Sequence, residues 1–133
     1  MKYMLDTNLC IYIIKNRSLE LVRKFRQIEN GEISVSVIVA SELAYGVAKS
    51  RFYEKNKDTL DLFLSSLSVE AMTDAVMWHY AGLRCHLERA GTIIGENDQW
   101  IAAHALATKA VLVTNNRKEF DRVPGLAVEN WVT

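Results

Sequence analysis

The stretch Lys2-Tyr3-Met4-Leu5-Asp6-Thr7-Asn8 (KYMLDTN) opens the chain. Its apolar run reads as a short buried strand that stops abruptly on an acid. Thr and Asn are common helix N-caps, and an acid at a helix start complements the helix dipole, so Asp6 has an ordinary structural explanation. It would also stand at the carboxyl end of a strand, where parallel α/β sheets gather their ligands. The rest of the chain has to decide between the two.

Working outward, LCIYIIK and SLELVRKFRQIEN read as two helices, the second closed by Gly31 at a C-cap position. In EISVSV, Ile33, Val35 and Val37 alternate with Ser34 and Ser36, the period of a half-buried strand. VASELAYGVAKS then reads as a helix packed through Val39, Leu43, Gly46 and Val47. Residues 54–66 are helical with Leu60, Phe63, Leu64 and Leu67 spaced for burial, and LSVEAM holds a brief strand. Residues 73–90 form the longest helix, with Val76, His79, Leu83 and Leu87 along one stripe. After the loop GTIIGEN, the helix DQWIAAHALATKA is apolar nearly all round and therefore central. AVLVT is a β-branched strand, followed by NNRKEF, a turn at Pro124-Gly125 and an edge strand near Leu126–Glu129. Strands alternating with helices imply a parallel sheet covered on both faces, an α/β sandwich, in one domain over residues 1–133.

Lys plus Arg equal Asp plus Glu at 16 each, so no global charge marks a non-specific nucleic-acid coater. No apolar run approaches the roughly 20 residues that cross a bilayer, and the N-terminus lacks a secretory pattern, which leads us to expect a cytoplasmic protein with no membrane role. Cys10 and Cys85 carry no metal-ligand spacing and read as reduced structural thiols. His79 and His104 read as core histidines. Cys85-His86 is a poor nucleophile–base pair, because adjacent helix residues point about 100° apart. An aspartyl phospho-acceptor reading of Asp6 is weak, since Asn8 stands where such enzymes need a second Asp.

Two further acids fall where they can meet Asp6. Glu42 follows the second strand by about one helical turn, at the margin of a packed stripe. Asp98 opens the alanine-rich helix on the face that Ile101, Ala102 and Ala105 continue inward. The last strand ends in Asn115-Asn116, again at a carboxyl end. Two carboxylates about 4 Å apart repel by roughly 4 kcal/mol at an effective dielectric of about 20, so a cluster of three calls for protons or a cation. Oxygen-only donors suit Mg²⁺ or Mn²⁺, and such ions with retained water suit phosphodiester hydrolysis. Each acid, taken singly, is as simply a cap, a dipole partner or a solvated helix residue. Their joint placement favours a site. The basic pairs Lys15/Arg17, Lys49/Arg51 and Arg117/Lys118 each follow an acid-bearing segment and make a candidate phosphate-binding rim. Trp100 reads as core packing in preference to base stacking.

The boxes MLDTN, SELAYG, GENDQWIAAHA and LVTNNRKEF, in this order across the whole chain, resemble the PIN-domain ribonucleases, and among them the VapC toxins of bacterial type II toxin–antitoxin pairs. The resemblance implies a PIN-like three-layer sandwich, a central parallel sheet of about five strands flanked by helices, and a Mg²⁺- or Mn²⁺-dependent endoribonuclease acting on structured RNA, with tRNA favoured. It also implies a cognate VapB-type antitoxin, and a homodimer or a toxin–antitoxin hetero-oligomer. Carried onto matching positions, Asp6, Glu42 and Asp98 become the metal-holding triad. Thr114 positions the last loop, and Asn8 and Arg117 join the substrate side. Asn116 stands where many members have a fourth acid; Glu96, Glu119 and Asp121 are the candidates to replace its charge. A non-catalytic RNA- or antitoxin-binding module with a weakened metal site is the alternative reading.

Overall fold

A computed structural model describes residues 2–132. Five parallel strands lie in the order β3-β2-β1-β4-β5: β1 (Tyr3–Leu5), β2 (Ile33–Ser36), β3 (Ser68–Glu70), β4 (Val111–Val113) and β5 (Val128–Glu129). The chain builds outward from β1 through β2 to β3. It then crosses to the other side of β1 for β4 and β5. Tyr3 registers with Ile33 on one side and with Val111 on the other, and Leu5 with Val113. The reversal of strand order therefore falls at β1 and β4, and the carboxyl ends of those strands are the expected place for a site.

Among the described residues seven α-helices accompany the sheet: α1 (Thr7–Ile14), α2 (Leu19–Gln27), α3 (Val37–Ala48), α4 (Tyr53–Ser65), α5 (Asp74–Ala90), α6 (Glu96–Thr108) and α7 (Arg117–Phe120). The expected α/β sandwich and its five strands are all present. α3 packs on α1 and α4, and α5 runs along α6. α6 is central, with Ile101, Ala102, Ala103 and Ala105 buried; their small side chains let its backbone lie close to the sheet.

Several local expectations are corrected. All four residues of β2 are buried, not an alternating half. Both faces of this strand are covered, and its serines are tolerated because each is hydrogen-bonded: Ser34 Oγ donates to the Tyr3 carbonyl at 3.1 Å, and Ser36 is engaged by His104. Gly31 does not close α2; that helix ends at Gln27 with extended Ile28 after it, and Gly31 lies in the short 3₁₀ turn Asn30–Glu32. His79 is exposed rather than core, and its neighbour Tyr80 is the half-buried residue of that turn. α6 begins at Glu96, so Asp98 sits within its first turn rather than opening it. Trp100 does pack, stacking flat on Tyr80 with ring centroids 3.6 Å apart.

His104 is buried, as expected, and its role is specific. Its Nδ1 lies 2.7 Å from Ser36 Oγ, which also accepts the Ile38 N–H at 3.1 Å as the N-cap of α3. The Ser36 hydroxyl, already an acceptor, donates to Nδ1, which leaves the proton of the neutral ring on Nε2, on the side of the Ala71 backbone. Burial holds the imidazole below its ordinary pKa, so it stays neutral in this position. The bond ties α6 to the start of α3. His104→Ala leaves the Ser36 hydroxyl without its acceptor and opens a cavity, and urea unfolding is expected to record a loss of about 2–4 kcal/mol.

Candidate active site

Asp6 resolves its two readings by doing both jobs. Its carboxylate is the N-cap of α1, accepting the Leu9 N–H at 2.9 Å on Oδ1. Oδ2 accepts the hydroxyl of Thr114, the first residue past β4. Thr114 Oγ1 in turn accepts the Asn116 N–H at 2.9 Å. A side chain 5% exposed is thus held at the carboxyl ends of both central strands. Burial raises its pKa, the two donated hydrogen bonds oppose that rise, and the charge of Glu42 adds to it.

Glu42 reaches the same edge from α3. The Thr7 hydroxyl donates to its Oε1 at 2.8 Å, fixing α3's acid to the first turn of α1. Asp98 arrives from the first turn of α6 and is the most perturbed acid of the set. Burial first, then a carboxyl–carboxyl hydrogen bond with Glu119, then the charges of Glu119, Asp6 and Glu42 push it up to about 7. That list of causes draws the map of the site. Four acids from β1, α3, α6 and α7 feel one another across a single edge of the sheet.

The fourth acid is therefore Glu119 by position. Asn116 contributes its peptide N–H to Thr114, and its side chain makes no cap to α7. Glu119 follows it by three residues on α7, one helical turn, which brings a half-buried carboxyl to Asp98. Asp121 is instead paired with Arg117 at 3.5 Å on the surface, and Glu96 is exposed at the start of α6. Asn8 is exposed, and the contact into the cluster comes from Thr7, which the sequence had not singled out. Also missed was Gln99, a buried residue whose Nε2 donates to the Ile94 carbonyl at 3.0 Å and ties the loop before α6 to Asp98's own helix. Neither residue type carries a sequence signal of its own.

The PIN domain model matches residues 3–126. The chain belongs to the PIN domain family. It is 47% identical to a Rickettsia felis protein described as Ribonuclease VapC2, over 98% of both chains. It is 38% identical to a Shigella flexneri protein described as a tRNA(fMet)-specific endonuclease VapC, again over 98% of both. Among solved structures, VapBC2 from R. felis bound to a DNA fragment from its promoter contains a chain matching with a TM-score of 0.93 and 45% identity, covering 98% of this chain and 99% of that one.

PIN-domain ribonucleases are generally dependent on a divalent metal. The donors here fit a hard cation, being carboxylate oxygens with no thiol or ring nitrogen among them. Among the described residues no three acids stand within joint coordinating reach of one point. Asp98 and Glu119 are the pair that interact directly, carboxyl to carboxyl.

This arrangement sets the pH dependence of stability. The folded pKa of Asp98, about 7, lies above its ordinary value of 3.8. The folded state therefore holds this proton more tightly than the unfolded chain, and the stabilisation present in acid is lost as pH rises through about 7. In EDTA, Tm is expected to fall between pH 5 and pH 7, to level off above that, and to vary less with pH in Asp98→Asn. Added Mg²⁺ or Mn²⁺ restores Tm most at pH 8.

Proposed function

We propose that the protein is an endoribonuclease toxin of the VapC type, hydrolysing phosphodiester bonds of structured RNA, with tRNA the favoured substrate. One observation carries this reading: the four-acid cluster at the switch point, in which burial first and the neighbouring acids after it raise Asp98 to about 7. A cluster so costly to ionise suits a centre that is neutralised by a cation.

Asp6 and Asp98 would hold Mg²⁺ or Mn²⁺, with Glu42 and Glu119 completing the acidic shell. When bound, the ion supplies charge neutralisation and Lewis acidity to phosphodiester hydrolysis. The chain's own residues prepare the place. Thr114 and the Leu9 N–H fix the orientation of Asp6, Thr7 fixes Glu42, and Glu119 lies against Asp98. Asn116 acts through its backbone on Thr114, and Asn8 and Arg117 lie on the exposed rim that faces substrate.

Beside the acids, between α1, α3 and α4, runs a groove of about 370 Å³, floored by Ile11, Ile14, Leu43, Val47 and Leu60 with Glu42 at its margin. An apolar trough ending at a carboxylate suits a cognate VapB-type antitoxin, which lays an apolar face in the trough and a basic side chain on the acids. The exposed Met77 and Trp78 of α5 suit a homodimer.

With bulk tRNA in Mg²⁺ or Mn²⁺, cleavage by the wild type is expected, with loss of at least about a hundredfold in Asp6→Asn and Asp98→Asn. Cleavage that persists in EDTA would overturn the reading. Glu119→Gln is expected to lower kcat by about tenfold or more, and by more than Asn116→Ala does.

A further inference from the structure

The turn from α3 into α4 exposes two large rings, Tyr45 at 66% and Phe52 at 63% of their full surface. Each has a cation beside it. Lys49 Nζ lies 4.9 Å from the centre of the Tyr45 ring, and the Arg51 guanidinium 5.7 Å from that of Phe52. Among the described residues neither cation is paired with a carboxylate. Residues 49–57 (KSRFYEKNK) hold four basic side chains against one acid, in a chain whose total charge is zero.

The placement is directed. Glu42, Tyr45 and Lys49 fall at i, i+3 and i+7 on α3 and share a stripe that leads away from the acidic centre. From Glu42 to Lys49 the helix rises about 10 Å, the span of about three stacked nucleotides. Lys15 and Lys49 both line the groove that Glu42 borders. The turn is rigid as well: Ser50 Oγ donates to the Val47 carbonyl at 2.6 Å and accepts from Asn56 Nδ2 at 3.0 Å. A backbone fixed in advance loses less freedom on binding than a mobile loop.

We propose that Tyr45 and Phe52, with Lys49 and Arg51, form a stacking platform for a single-stranded stretch of RNA that leaves the acidic centre. Bases stack on the rings and the cations meet the phosphates, which is how sequence-tolerant single-strand sites work. Net positive charge argues for this occupant over an uncharged protein face. The choice of RNA rests on the ribonuclease reading above.

The test uses fluorescein-labelled (U)20 and the Asp6→Asn protein, whose Asn still caps α1. In that background Tyr45→Ala/Phe52→Ala is expected to raise Kd by about tenfold or more. Lys49→Gln/Arg51→Gln is expected to reduce the slope of log K against log salt by about 1.4. No binding of (U)20, or an unchanged Kd and slope, overturns the platform. So does a shift to smaller species in sedimentation with RNA binding intact, which would assign the rings to a second copy. A wild type that cuts no RNA while (U)20 shows the expected signature removes the nuclease reading and keeps the platform. One that cuts tRNA while (U)20 is indifferent to the substitutions removes the platform alone.

Discussion

The carboxylate of Asp6 is the fixed point of this structure. Burying an acid at the meeting of two central strands is unfavourable unless its oxygens are occupied, and here a helix N-terminus and a hydroxyl occupy them. The same two bonds begin α1 and lock the exit of β4. Everything else in the site is placed relative to that joint. Thr7, next in sequence, brings in Glu42; Thr114 lies just ahead of the turn into α7, which brings Glu119 to Asp98. Helix capping and site formation, alternatives at the level of sequence, are one interaction in the fold.

Much of this was legible beforehand because the informative residues sit at ends of elements. β1, β2 and β4 each terminate on polar residues, and an acid after an apolar run gives a position as well as a chemistry. The sequence also marked Glu42 and Asp98 through their spacing from packed neighbours. Where the reading failed, periodicity was the weak instrument. Ser34 and Ser36 looked solvent-facing because alternation carries no information about a second covering layer, and only His104, 68 residues from Ser36, makes the difference. His79 looked core because its stripe was drawn one residue away from Tyr80. Choosing among Glu96, Glu119 and Asp121 required the course of α7, a helix of four residues that no periodic pattern announces.

The two helices that carry Glu42 and Asp98 are not independent. His104 joins α6 to the N-cap of α3 by a buried bond of 2.7 Å. Pressure on α3 from an occupant of the neighbouring groove is therefore borne by the helix that holds Asp98. The groove, the rim of rings and cations and the acids form a continuous surface around α3.

The bonds that make the centre are long in sequence. Asp6 and Thr114 are 108 residues apart, and Thr7 and Glu42 are 35 apart. Chains are made N-terminus first, and loop closure defers such contacts until both ends exist. Asp6 is among the first residues to leave the ribosome, yet its partner strand and Glu119 arrive only in the last quarter of the chain. A truncated or still-growing polypeptide carries the leading acid without the centre. The topology of the sheet thus withholds the acidic centre until the chain is nearly complete.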